Sequence, residues 1–231
     1  MTAAGLPRFA VVDYGAGNLV SIDQGLRRAG AEPLIARDAA AIRDADVLVV
    51  PGVGASAPAM ERLRRAGLVE PILAWIAGGR PYLGICLGLQ LLFEWSDEDD
   101  TETLGVLRGR TRSLQDAPTL PHIGWNQVER THDHPLFARI PPGADFYFVH
   151  SYAGEPEGPN AADMTLARTT HGASFVSAVG RGNVLGVQFH PERSGDDGLQ
   201  LLANAVELAR SGRWPAPGPT PTPPLAAAAV R

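Results

Sequence analysis

One cysteine occurs in the chain, Cys86, set between glycines in Gly84-Ile85-Cys86-Leu87-Gly88. Far downstream the chain reads Gly186-Val187-Gln188-Phe189-His190-Pro191-Glu192. A thiol, an imidazole and a carboxylate are the minimum set for covalent acyl transfer: a nucleophile, its base, and a group that orients the base.

Arg80–Cys86 reads as a short apolar strand and Leu87–Glu94 as the start of a helix. A nucleophile on so sharp a strand-to-helix turn has little room around it, and glycine two residues before and two after avoids a side-chain clash. The turn exposes the sulfur at the helix N-terminus, whose positive end favours a thiolate. The N–H of Leu87 is then a natural oxyanion donor. A free cysteine is more often a small buried hydrophobe. The glycines and the strand–helix junction shift the balance toward the reactive reading.

Asn183–Phe189 reads as a strand with His190 at its end. His190 and Glu192 are two residues apart in an extended segment, so both side chains can share a side. Pro191 discourages helix between them. Glu192 can hold one ring nitrogen while the other faces the sulfur. His122 and His150 rank below His190 as base because no carboxylate follows two residues later.

These groups must be positioned by a scaffold. The 231 residues, 45% of them hydrophobic, suit one α/β domain with a full core. Strands are expected at Phe9–Asp13, Pro33–Ala36 and Ala45–Val50, with helices following to about Ala29, from Ala57 to Ala66, and from Val69 to Ala77. This alternation predicts a mostly parallel sheet covered by helices on both faces, of flavodoxin-like type. Sites in such sheets lie at strand carboxyl ends, where Pro51–Gly54, Cys86 and His190 all fall. From about Leu104 to Val187 the pattern turns to strands with few helices, such as Asp145–Val149 and Ser174–Val179. It predicts an additional, more antiparallel layer. Leu199–Ala209 reads as a closing helix, giving a domain over 1–212. The Pro- and Ala-rich stretch 213–231 has no core pattern and is expected to be a disordered tail.

The net charge of −5 argues against nucleic acid as a partner. No lysine occurs, which excludes Schiff-base chemistry. A single cysteine, no signal peptide and no membrane-length apolar run fit a cytoplasmic protein.

Taken together, the motifs resemble the class I (triad) glutamine amidotransferases over nearly the whole chain up to the tail. The elbow and the His190 motif are common to that class. Asp13-Tyr-Gly-Ala-Gly-Asn-Leu19, Pro51-Gly-Val-Gly54, Pro121-His-Ile-Gly-Trp-Asn126 and Tyr147-Phe-Val-His-Ser-Tyr152 point to the glutaminases that serve histidine biosynthesis. The resemblance implies hydrolysis of glutamine to glutamate and ammonia by Cys86, His190 and Glu192. It implies an oxyanion hole from Gly52, Val53 and Gly54 beside Leu87, and substrate contacts from Gln90, Ser151 and Tyr152. The ammonia would pass to a (β/α)₈ cyclase subunit, in a heterodimer. That partner would make imidazole glycerol phosphate and an aminoimidazole carboxamide ribotide. Asn18, Trp125 and Arg193 are expected at that interface. Neither cofactor nor metal is implied. Leu89, Ile123 and Arg193 depart from the commoner Met, Met and Lys. A glutaminase serving another synthase, or an idle module of the same fold, stays open at this point.

Other motifs read as bland. Tyr14–Asn18 lacks the third glycine of a dinucleotide loop. His132-Asp-His134 has too few ligands for structural zinc and reads as a polar loop. Asp97–Asp100 reads as a solvated acidic loop. Trp125 is equally compatible with a partner anchor and a core aromatic.

Overall fold

The computed structural model describes residues 5–215. The elements run β1 (Arg8–Val12), α1 (Leu19–Arg28), β2 (Glu32–Ala36), α2 (Ala39–Arg43), β3 (Val47–Gly52), α3 (Ser56–Arg65), α4 (Val69–Ala77), β4 (Tyr82–Cys86) and α5 (Leu87–Gln90). There follow β5 (Trp95–Ser96), β6 (Thr101–Glu102), β7 (Gly109–Ser113), β8 (His122–Arg130), β9 (Ala144–His150) and β10 (Tyr152–Pro156). The chain ends with α6 (Ala161–Met164), β11 (Thr165–His171), β12 (Ala173–Arg181), β13 (Val184–Val187) and α7 (Gly195–Arg210).

One large sheet has the order β2-β1-β3-β4-β13-β12-β11-β8-β9. Its first five strands are parallel neighbours and the rest pair antiparallel. Every residue of β3 and β4 is buried, which is why both read as unbroken apolar runs rather than alternations. Side chains still alternate between faces. Val47, Val49 and Ile85 join the core under α1 and α7, and Leu48 and Val50 join the core under α2–α4. The expected antiparallel layer is split. Strands β8, β9, β11 and β12 extend the main sheet, and β10-β7-β5-β6 form a separate small sheet.

The helix expected from Leu87 to Glu94 is much shorter. It closes after Gln90 because a later loop captures the next carbonyls: Leu104 N–H donates to Leu91 O, Leu107 N–H to Leu92 O and Gly105 N–H to Phe93 O. The acidic stretch is not a free loop either. Asp99 accepts the N–H of Ala57 at 2.9 Å, at the start of α3, and Asp97 pairs with Arg110 at 3.0 Å. Trp214 is buried and donates to Asn183 O at 3.0 Å. Most of the stretch expected to be a disordered tail, 216–231, lies outside the described residues. No helix among the described residues is long and apolar enough to cross a membrane.

Candidate active site

Cys86 is the last residue of β4 and the residue before α5. Its φ of 53° is a left-handed value carried by a non-glycine residue. Such strain persists only where the surroundings enforce it, and it concentrates at functional sites. Here the enforcement is visible. A Cβ on Gly84 would stand 2.5 Å from Gly88 O, and one on Gly88 would stand 1.8 Å from Val50 O. The two glycines are needed for close approach of backbone to backbone. The buried Tyr82 hydroxyl donates to Gly88 O at 2.9 Å and ties the turn down.

Strand β3 runs parallel to β4 with Gly52 in register with Cys86. This places the Pro51–Gly54 loop beside the sulfur. A Cβ on Gly52 would lie 2.2 Å from the Tyr14 hydroxyl and 2.9 Å from Leu87 Cβ, so only glycine fits. The Tyr14 hydroxyl donates to Pro51 O at 2.8 Å. Its own ionisation is pushed up, first by burial and then by its electrostatic interaction with Cys86. Gly54 has φ +91°. Leu87 opens α5 one residue beyond the Gly52–Cys86 pair, so the Pro51–Gly54 loop and the first N–H of α5 sit at the same end of the sheet.

His190 follows β13, the strand on the other side of β4. Its Nδ1 lies 2.8 Å from Glu192 Oε1, with both side chains nearly fully buried. The geometry is not the extended segment expected from sequence. Pro191–Arg193 form a 3-10 turn, which swings Glu192 back onto the ring. The turn is fixed from β9: His190 N–H donates to Tyr147 O at 2.9 Å, and Tyr147 N–H donates to Ser194 Oγ at 2.9 Å. His190 Nε2 is buried without an aligned hydrogen bond. Burial alone would lower the imidazolium pKa. Interactions with Cys86 and then Glu192 outweigh it, and the value stands at about 10.

A cleft of about 200 Å³ opens over the sulfur, lined by Gly54, Cys86, Gln90, His150, Ser151 and Tyr152, among others. The expected nucleophile, oxyanion loop and substrate residues therefore converge. Glu98 also lines this cleft. Its carboxyl pKa is raised by burial and by neighbouring Asp99. Sequence reasoning missed it because it sits inside a charge run of ordinary surface type. A larger surface depression beside Thr131, His132, Asp163 and Arg168 contains none of the expected site residues. His132 in that depression pairs with Thr131 Oγ1 at 3.0 Å, whereas His134, outside its lining, accepts Leu136 N–H at 3.2 Å.

The expected interface residues lie on the surface or at element ends. Trp125 is 56% exposed on β8 and meets the Tyr147 ring edge-on at 6.2 Å. The Arg193 guanidinium lies 4.0 Å over the same Tyr147 ring. Asn18 accepts Ser21 N–H at 3.3 Å and caps α1. Ile123, on the same face of β8 as Trp125, is 61% exposed, and Val53 47%.

The family model for glutamine amidotransferase class-I matches residues 10–208. The chain belongs to the class I glutamine amidotransferases. Among curated amidotransferases it is similar to the imidazole glycerol phosphate synthase subunit HisH of Symbiobacterium thermophilum. The two are 50% identical over 200 residues, covering 86% of this chain and 93% of that one. The HisH protein of Synechococcus elongatus is 48% identical over 209 residues, covering 88% and 94%. That of Trichormus variabilis is 44% identical over 209 residues, covering 89% and 98%. Among solved structures the amidotransferase fold is matched by one named glutamine amidotransferase. There the TM-score is 0.68, the identity 21%, and the coverage 87% of this chain and 98% of that one. The structure of PurLQS from Thermotoga maritima matches with TM-score 0.66 and 18% identity, covering 87% and 98%.

Proposed function

We propose that this chain is the glutaminase subunit of an imidazole glycerol phosphate synthase and works through Cys86, His190 and Glu192. The observation that carries the site assignment is the strained Cys86 facing an imidazole whose far nitrogen is held by a buried carboxylate at 2.8 Å. The identity to HisH subunits over nearly their whole length supports the choice among class I synthases.

The Cys86 thiolate attacks the side-chain amide carbon of glutamine. Charge develops on the amide oxygen, where the N–H groups of Leu87 and Val53 stabilise it. His190 carries the proton that the departing nitrogen needs, so ammonia leaves and a glutamyl thioester forms on Cys86. His190 then takes a proton from water, which attacks the thioester and frees glutamate. Glu192 keeps the ring in the tautomer that both steps require. Gln90 and Glu98 offer acceptors, and Ser151 and Tyr152 polar groups, for the amino-acid end of the substrate.

The ammonia goes to a cyclase subunit in a heterodimer. The exposed Ile123 and Trp125, together with Arg193 and Asn18, are the proposed docking surface. A single working thiol fits a reducing compartment such as the cytoplasm. Glutamate release should be measured for this chain alone, then with the cyclase subunit plus its nucleotide ligand. Strong stimulation is expected. Absence of release from the folded pair would overturn the assignment.

A further inference from the structure

Gln188 lies between β13 and His190, was absent from the expected site, and is fully buried. Its Nε2 is 3.6 Å from Cys86 Sγ. Its other amide atom, Oε1, is 3.1 Å from Gln90 Nε2. Gln90 Nε2 is also 2.7 Å from Tyr152 O.

These contacts allow one orientation of each amide. A backbone carbonyl only accepts, so the atom of Gln90 against Tyr152 O is its NH₂. That same nitrogen faces Gln188, so Gln188 presents oxygen to it. The NH₂ of Gln188 is then left for the sulfur. Both hydrogens of the Gln90 amide are used, which leaves its oxygen as its substrate-facing atom. The backbone of Gln188 is pinned as well, by its N–H donating to Ser177 O at 2.9 Å. The sulfur thus has a fixed side-chain donor. The helix behind it is a single turn, too short for its dipole to contribute much.

We infer that Gln188 is a positioning residue for the nucleophile: its locked amide donates to the Cys86 thiolate and holds it in line with the substrate, with Gln90 as the latch. This rests on Cys86 being the nucleophile. The chemistry follows from charge. An N–H donor strengthens toward an anion, and the protein interior makes the bond count for more than in water. Substrate on Gln90 Oε1 polarises the Gln90 NH₂, so occupancy of the amino-acid subsite tightens the link to Gln188 and through it to the sulfur. The other ionisable groups facing the sulfur are His190, backed by Glu192, and Tyr14. Glu98 stands farther along the cleft wall.

The test uses the complex of this chain with its cyclase partner and the variants Gln188→Met and Gln188→Glu. Met removes the donor, and Glu keeps the shape while presenting only acceptors. Glutamate release is measured at varied glutamine. Alkylation of Cys86 by iodoacetamide is followed by the mass of this chain across pH; no other cysteine competes. For Gln188→Met we expect kcat to fall roughly ten- to hundredfold with KM nearly unchanged, the loss of one donor to a charged group. Its alkylation profile should move to higher pH. Gln188→Glu should lose more, since a carboxylate beside the thiolate repels it. A thermal melt of each variant and its co-elution with the cyclase subunit report folding, and if Met disturbs it, the isosteric Glu decides. Wild-type kcat and an unmoved alkylation profile in the folded variants would overturn the inference, as would a rise in KM alone. If wild-type Cys86 resists alkylation and Cys86→Ala keeps glutaminase activity, the nucleophile assignment itself fails and Gln188 falls with it.

Discussion

Gly52 and Cys86 are partners in the parallel register of β3 and β4. The nucleophile and the loop proposed to hold the substrate oxygen therefore end at one height of the sheet. His190 reaches the same height from the far side of β4, at the end of β13. Three neighbouring parallel strands deliver the catalytic set at their carboxyl ends: Gly52 and Cys86 close β3 and β4, and His190 and Glu192 lie three and five residues beyond β13.

Cys86→Ala in the complex should abolish glutamine-dependent synthesis and spare synthesis with added ammonia. The expected loss of glutamate release is at least about a thousandfold, as for removal of a covalent nucleophile. Loss of the ammonia-dependent reaction in a folded complex would refute a division of labour between subunits.

Glu192→Gln keeps an oxygen near His190 Nδ1 but removes the charge behind the ring. Glutamate release should fall roughly a hundredfold, within the usual range for general acid–base assistance, while KM moves little. Steady-state kinetics with varied glutamine checks this. Unchanged kcat would remove Glu192 from the mechanism.

Gly88→Ala must fit a methyl into a site where Val50 O lies 1.8 Å from the ideal Cβ. The backbone of β3 has to move, and the cost is expected to exceed about 3 kcal/mol, the upper part of the overpacking range. Gly186→Ala, whose nearest neighbours are Leu89 side-chain atoms at 3.1 Å, should be far milder. Thermal melts of both variants decide the order.

Acid should weaken the fold through a histidine chain beside the cleft. His150 Nδ1 is 2.8 Å from Tyr152 O and therefore carries a proton. Its Nε2 then accepts from His122 Nδ1 at 3.2 Å, and His122 Nε2 accepts from Asn126 Nδ2 at 3.2 Å. The chain works only with both rings neutral. Burial first, helped by neighbouring histidines, holds their pKa values at about 3 for His150 and about 4 for His122. Folded values below the unfolded value of about 6.5 mean that the unfolded chain takes up more protons in this window. Their contribution is full above that pH and is lost as pH falls toward the folded values. Denaturant unfolding between pH 7 and pH 4 should show the loss, and His150→Phe should flatten the slope. An equally steep slope in the variant would clear these rings.

Trp125→Ala should weaken association with the cyclase subunit by about thirtyfold, the cost of a tryptophan hot spot. The melting temperature of the free glutaminase should barely move, because the side chain is 56% exposed. Calorimetric titration reads the first and a thermal melt the second. A large drop in stability without loss of affinity would place Trp125 in the fold rather than the interface.

The alternation of apolar strands and amphipathic segments was legible because burial on both faces of β3 and β4 writes itself as continuous hydrophobicity. Gly84, Gly88 and Gly52 were legible for a related reason: a backbone approach this close admits one residue type. Cys86, His190 and Glu192 stood out because few residue types do their chemistry. What sequence could not specify is everything set by distant partners. The helix after Cys86 stops at Gln90 because a loop that follows captures the carbonyls of Leu91, Leu92 and Phe93. Glu98 leaves an acidic run for the cleft because Asp99 beside it anchors on α3. Trp125 faces out because β8 takes a register on β9 that puts Ile123 and Trp125 on the open side. Gln188 is invisible to any local pattern, since its role exists only once Gln90 has fixed its amide and β13 has paired beside β4. Residue chemistry and local backbone demands are properties of the chain, whereas the direction of a hydrogen bond between residues far apart is decided only when the sheet has closed.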